Sequence, residues 1–273
     1  MKTFFCSLFE CVCRNILSYF LKKKIKILHQ SNNFLLISKD YDMKINSDNP
    51  NEFTVQTQLR KQYPLLANDS LFHEFYFPHR LDFATSGVMC IPIHKKACQM
   101  ASEAFSGKQA KKYYIGLARG LFSNELIDLD IPIGEDSRYK NIHKMCTYQS
   151  EFCTKSRNAR TIFLVLEEGL YDCYPATKIL IRPVTGRRHQ IRVHCSYLGH
   201  TIIGDYTYSN RKDVSPFRMY LHAFRLVLPL SLEHIDVQSC DPFLTDDKWH
   251  SFTLFNEINE QAFKKLEICV KQE

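Results

Sequence analysis

The sequence predicts an α+β domain built on a mixed, largely antiparallel sheet, and three observations carry that prediction. Short β-rich runs outnumber helical patterns, the two kinds are only partly interleaved, and no internal repeat or low-complexity linker divides the chain. With 273 residues, 45% of them hydrophobic, the chain can bury a large core.

Taken in order, residues 1–24 read as an amphipathic extension. Phe4, Phe5, Leu8, Phe9, Val12, Ile16, Leu17, Phe20 and Leu21 recur at three- and four-residue intervals and would line one side of a helix. Glu10 and Arg14 interrupt the apolar run, which argues against a membrane span and a secretory signal. Lys2, Arg14 and the Lys22-Lys23-Lys24 cluster keep a mitochondrial presequence or a surface-binding helix open as alternatives. Phe34-Leu35-Leu36-Ile37, bounded by Asn32-Asn33 and Asp40, predicts a buried strand. Thr54 to Gln62 predicts a helix, with Thr54 as cap, Val55 and Leu59 four apart, and Pro64 past the end. Val88 to Ile93 predicts a strand that Pro92 assigns to an edge or a bulge. Lys95 to Phe105 follows as a helix striped by Ala97, Met100, Ala101, Ala104 and Phe105 and stopped by Gly107. Further strands are expected at Tyr113–Leu117, Ile162–Leu166, Lys178–Ile181 and Tyr220–Leu228, the last closed by Pro229. A helix over 189–198, ended by Gly199, would put Ile191, Cys195 and Leu198 on one face and Arg188 and Arg192 on another.

The formal charge of +7 is unevenly spread. Residues 233–273 hold nine acids against four bases and read as an acidic C-terminal extension to a basic body, 25–232. From Arg182 to Arg225 eight arginines or lysines face two aspartates, the density of a phosphate-facing surface or of a plain solvated basic face. The eleven cysteines include no C-x-x-C pair, so reduced thiols in an intracellular protein, cytoplasmic or nuclear, are expected rather than disulfides or zinc. His189 and His194 lie about 140° apart around a helix and cannot share a metal from one face. His79 with Asp82 is too few for a site, and no metal is expected.

Two longer motifs carry chemistry. His79-Arg80-Leu81-Asp82-Phe83-Ala84-Thr85-Ser86-Gly87 holds one carboxylate between a guanidinium and a Thr-Ser-Gly turn, where it could be a nucleophile or simply a surface turn or cap. Gly186-Arg187-Arg188-His189-Gln190-Ile191-Arg192-Val193-His194 runs on to Leu198-Gly199-His200 and Gly204-Asp205. Together, and in this order, they resemble the signatures of the RNA pseudouridine synthases of the RluA type. Lys112-Tyr113-Tyr114, leading to Arg119-Gly120, resembles the K-x-Y strand of the same family. The likeness spans about residues 26–230 and includes weaker segments at Gly169-Leu170-Tyr171 and Met219–Phe224.

The resemblance implies the pseudouridine synthase fold, with helices and loops flanking the sheet around a central basic cleft, and makes 25–232 the catalytic domain. The implied reaction detaches a uracil from ribose C1′, turns it and rejoins it through C5, which needs no redox cofactor and no metal. By resemblance Asp82 is the nucleophile, Arg192 with Ile191 beside it stands against Asp82, and Tyr114 stacks on the base and assists proton transfer. Arg80 would hold the flipped-out arrangement. His79 and Thr85, from the first motif, and Arg188, where the family usually has threonine, complete the expected substrate-binding set. Ser38-Lys39-Asp40 replaces the family's Asn-Lys-Pro, which leaves that loop less constrained. The expected partner is structured RNA (ribosomal, transfer or messenger), bound by a monomer. An RNA-binding or chaperone protein that keeps the fold without turnover is the alternative, and a glycosidase would want paired carboxylates.

Overall fold

The apolar run at Phe34–Ile37 does not alternate because both of its faces are covered. Residues 34–39 form strand β2 of a large sheet; Leu35 and Ile37 join one buried cluster, Phe34 and Leu36 another on the opposite face. The structure is a computed structural model that describes residues 24–271, so the expected amphipathic extension falls almost wholly outside the described residues.

The large sheet has ten strands. They are β1 (Lys26–Gln30), β2 (Phe34–Lys39), β3 (Ser86–Pro92), β4 (Lys111–Arg119), β5 (Leu126–Asp130), β9 (Arg160–Tyr171), β10 (Tyr174–Pro183), β11 (Leu221–Pro229), β12 (His234–Gln238) and β13 (Trp249–Leu254). The spatial order is β1-β2-β3-β11-β4-β10-β9-β13, with β12 on β11 and β5 on β9. Only the β3–β11 ladder among these is parallel, so the sheet is mixed and largely antiparallel. Three short strands, β6 (Ile133–Asp136), β7 (Met145–Thr147) and β8 (Cys153–Arg157), make a second sheet in the order β7-β6-β8.

Four helices cover the large sheet. Helix α1 (Val55–Gln62) starts at Thr54, whose hydroxyl accepts from Thr57 N while the Thr57 hydroxyl accepts from Thr54 N, a reciprocal cap. Its Val55 and Leu59 pack with Leu35, Ile37 and Met89. On the opposite face, helix α2 (Lys95–Ser106) sets Ala97 and Ala101 against Phe34, Leu36 and Val88. Helix α3 (Gln190–Tyr197) places Ile191 and Cys195 beside Phe163, Val165 and Ile179, and helix α4 (Glu260–Lys271) places Ala262, Phe263 and Leu266 beside Leu164, Leu180 and Tyr220. No helix among the described residues is long and apolar enough to cross a membrane.

Two details refine the sequence reading. Residues 234–271, grouped above as an acidic extension, supply β12, β13 and α4 to the same sheet and core. β3 is interior rather than an edge, lying between β2 and β11. Pro92 is tolerated because β11 pairs β3 only at Ser86 and Gly87, leaving Pro92 opposite Phe34 of β2 at the strand's far end.

Candidate active site

Gly87 fixes where the first motif meets the sheet. Its φ is +118°, and a β-carbon there would lie 2.2 Å from the Ala223 carbonyl oxygen, so only glycine lets β3 begin against β11. The turn before it is closed by Thr85 N donating to the Asp82 carbonyl at 3.1 Å. From the other side, Lys39 is buried and its Nζ donates to the carbonyls of Asp40 (2.8 Å), Met43 (2.8 Å) and Phe83 (3.0 Å). Burial pulls that ammonium's pKa down to about 7. The loop expected to be less constrained without its proline is therefore tied by this lysine to the residue after Asp82.

Asp82 is half-buried, its side chain 27% exposed, and its Oδ2 accepts from Arg192 Nη1 at 3.1 Å. Arg192 is held on its other edge by Asp205: Nε to Oδ2 at 2.7 Å and Nη2 to Oδ1 at 2.8 Å, a two-pronged pair. Burial opposes the guanidinium's charge, but the Asp205 hydrogen bonds and charge, with Asp82 adding, outweigh it and push its pKa up. Asp205 Oδ1 also accepts from Thr207 N and Tyr208 N, both at 3.1 Å. The two carboxylates thus differ: Asp205 is saturated with donors, whereas Asp82 holds one strong donor and faces the cleft. Gly204 makes the approach of Asp205 feasible, with φ +75° and a β-carbon position 2.0 Å from the Arg218 carbonyl oxygen.

His189 opens α3 in a left-handed conformation (φ 53°), and its Nε2 lies 3.9 Å from Asp82 Oδ2. Its Nδ1 is 3.0 Å from the Tyr208 hydroxyl. Burial, helped by Arg192, lowers its pKa to about 4, so at neutral pH the ring is uncharged and adds no positive charge beside Asp82. Tyr114 lines the same cleft from β4; burial first, then the charge of Asp82, pushes its phenol pKa up, and the hydroxyl bonds to no described residue. It is a neutral phenol free to meet a ligand.

The cleft has a volume of about 1360 Å³ and brings together all eight residues expected from sequence: His79, Arg80, Asp82, Thr85, Tyr114, Arg188, Ile191 and Arg192. Arg80 and Arg188 are exposed on its rim, while Ile191 and Thr85 are buried in its wall. His79 touches the cleft but is committed elsewhere: its Nε2 accepts from Cys90 N at 2.8 Å and its ring stacks on Phe105. Burial and the charge of Lys112 lower its pKa to about 3, so it anchors the motif to β3 as a neutral ring. Among the described residues no group of three His, Cys, Asp or Glu side chains is placed to share a metal ion.

Sequence reasoning left several residues of the site without a role: Asp205, Tyr208, Lys39 and Arg218. Arg218 is buried and donates to Ser86 Oγ at 2.5 Å. Ser86 in turn meets His222 Nδ1 at 2.7 Å, and His222 Nε2 meets Ser239 Oγ at 2.6 Å. One donor order satisfies the whole chain: Arg218 to Ser86, Ser86 to His222 Nδ1, His222 Nε2–H to Ser239, and Ser239 to the Phe224 carbonyl. Burial, then Arg218, lowers His222's pKa to about 3, in keeping with that neutral tautomer. The weaker likeness at Met219–Phe224 was the available signal for this second tie between the first motif and β11.

The comparisons with known proteins agree with this geometry. The model of the family described as RNA pseudouridylate synthase matches residues 33–197. Over 257 residues the chain is 40% identical to RNA pseudouridylate synthase domain-containing protein 1 of Danio rerio, covering 92% of this chain and 88% of that one. Over 206 residues it is 29% identical to the dual-specificity RNA pseudouridine synthase RluA of Escherichia coli (strain K12), covering 74% and 85%. The solved structure of human RNA pseudouridylate synthase domain containing 1 superposes with a TM-score of 0.79 at 35% identity, covering 92% of this chain and 96% of that one. The chain belongs to the RNA pseudouridylate synthase family.

Proposed function

We propose that this RNA pseudouridine synthase acts on a uridine turned out of structured RNA, with Asp82 as the nucleophile of the covalent step. In that step a carboxylate oxygen of Asp82 bonds to C1′ as the C1′–N1 bond breaks, the uracil turns, and C5 attacks C1′ and displaces the carboxylate; N1 takes up a proton and C5 gives one up. The observation that carries the reading is the unequal sharing of Arg192. Asp205 grips two of its nitrogens and leaves Nη1 for Asp82, so that carboxylate has a guanidinium donor on one side and the cleft on the other. Tyr114, held as a neutral phenol, is suited to lie against the uracil and pass its proton. The cleft exceeds the roughly 300–1,000 Å³ of ordinary small-molecule sites, which favours a substrate embedded in a polymer. Arg80 on the rim is placed to fill the vacated stack or bind phosphate once the base has left its helix.

RNA carrying tritium at uridine C5 tests this, because joining C1′ to C5 displaces that hydrogen. Wild-type protein is expected to release the label while Asp82→Asn and Asp82→Ala do not. Release by either variant at the wild-type rate would remove Asp82 from the chemistry.

A further inference from the structure

Lys112 stands two residues before Tyr114 on β4, and strand alternation puts their side chains on one face. The intervening residues show which face that is. Lys111 Nζ lies 2.9 Å from Glu267 Oε2 of α4, and the Tyr113 hydroxyl donates to Glu267 Oε1, so this carboxylate is engaged on the far side of the strand. Lys112 and Tyr114 line the cleft instead.

Lys112 differs from the lysine at position 111 in having no partner. It forms no hydrogen bond and no ion pair with any described residue, although burial pulls its pKa down to about 8. The loop bearing the second motif passes close over its tip: a β-carbon on Gly186 would lie 3.2 Å from Lys112 Nζ. The titratable and charged groups sharing the cleft are His79, Arg80, Asp82, Tyr114, Arg187, Arg188, His189, Arg192, Asp42, Asp205, Tyr206, Asp213 and Arg218. His79 and His189 are neutral, Asp205 and Asp82 are taken by Arg192, Asp213 is held by Arg119, and Asp42 faces the charges of Lys39 and Arg218. Arg187 Nε donates to the Asn158 carbonyl and has no carboxylate among the described residues. No carboxylate of the cleft is therefore left for the Lys112 ammonium, on which burial is the one influence that moves its pKa. A partly desolvated cation is costly unless something compensates it, and here the compensation has to come from a ligand.

We propose that Lys112 binds one phosphodiester of the RNA strand, next to the uridine addressed by Asp82 and Tyr114. The assignment rests on the reading of Asp82 above for which nucleotide lies in the cleft. An ammonium is a compact point charge with three donors and suits a phosphate oxygen better than a neutral uracil carbonyl. Two strand residues span about 7 Å, a separation that the base and backbone of one nucleotide can bridge.

The test is binding of a 5′-fluorescein-labelled single-stranded 20-mer of uridylate, followed by anisotropy from pH 6.5 to 9.5 and across a KCl series. Wild type, Lys112→Met, Lys112→Arg and Asp82→Asn are compared, with thermal unfolding run on each. Lys112→Met is expected to bind about tenfold more weakly, the scale of one charge-assisted hydrogen bond. Its slope of log affinity against log salt should be shallower by about 0.7, one phosphate contact on a single strand. Wild-type affinity should fall as pH rises through 8, where the ammonium loses its proton; Lys112→Met should lack that fall, and Lys112→Arg should bind well across the range. Lys39, which titrates near pH 7, is common to all four proteins and cancels in the comparison. The unfolding midpoint of Lys112→Met should not drop, since no protein contact is lost. A Lys112→Met variant with wild-type salt slope and pH profile, or a wild type that does not bind the oligonucleotide, overturns the assignment. Asp82→Asn, whatever its overall affinity, should keep the fall through pH 8 that Lys112 gives the wild type, so a failed label-release experiment with that fall intact would refute the catalytic reading and leave this one standing.

Discussion

On the floor of the cleft, Arg192 is gripped by Asp82 and Asp205, and Asp205 is further bonded by two backbone amides. On the rim, Arg80, Arg187 and Arg188 meet no carboxylate among the described residues, and neither does Lys112 beneath the Gly186 loop. A paired charge is fixed in position and tuned before any ligand arrives, which is what a reacting group needs. An unpaired charge at a cleft edge waits for a counter-charge, which is what a polyanion supplies. On the function proposed above, the two regions divide the work of the site, the floor doing the chemistry and the rim holding RNA. If so, substitutions on the floor should cost stability and turnover, and those on the rim should cost affinity and salt dependence.

The largest effect should come from Arg192→Met. It leaves Asp205 buried without its cation and Asp82 without its donor, and removing one partner of a buried pair costs about 3–5 kcal/mol. Urea unfolding should show a loss of that size. Label release from tritiated RNA should fall to the level of Asp82→Ala. A variant of unchanged stability would mean that the floor is not prepaired, and the contrast with the rim would collapse.

How much of this was readable beforehand varies with the kind of signal. Asp82 and Arg192 were legible together, because the two motifs that hold them resemble one family's signatures; helix spacing alone left Arg188 and Arg192 on the same face with either able to turn inward. Asp205 was not: it reaches Arg192 from a loop whose course depends on Gly204 lying against the Arg218 carbonyl, and loops carry no periodicity to aim a side chain. Lys39 looked like one end of a loosened loop, since a sequence does not reveal that three carbonyls converge on one ammonium. The C-terminal segment shows a different failure. Its summed charge suggested an appendage, yet Ile235 and Val237 alternate along β12, and Ala262, Phe263 and Leu266 share one stripe of α4. Periodicity outweighs net charge there, because burial depends on which residues share a face.

A second effect, smaller for any one ring, concerns acid. His79 and His222 have folded pKa values of about 3, His189 of about 4, and His194 is lowered as well, all chiefly by burial. In the unfolded chain each would titrate near 6.5, so below that pH the unfolded state takes up protons that the folded state refuses. Their contribution is fully present above about pH 6.5 and is lost as pH falls toward 4, at up to about 1.4 kcal/mol per pH unit for each ring. Unfolding free energies measured at pH 7, 6 and 5 should decline steadily, in a window where most carboxylates are still ionised. A flat profile would mean that these rings carry protons in the folded state, and His189 would then set a second positive charge beside Asp82 next to Arg192.

The smallest and most selective effect should be that of Arg188→Thr, the residue type usual in the family at this position. Arg188 is exposed on the rim, two residues from the start of α3, and lines the cleft without a carboxylate partner among the described residues. Stability should stay within about 0.5 kcal/mol of wild type, as for surface substitutions that break no packed contact. RNA affinity should drop only a few-fold near physiological salt, with the salt slope shallower by about 0.7 for a single-stranded contact. Label release at saturating RNA should be unchanged, because Asp82, Arg192 and Tyr114 are untouched. Loss of turnover at saturation would place Arg188 with the floor, and would mean that the division between a paired floor and an unpaired rim is drawn one residue too far along the second motif.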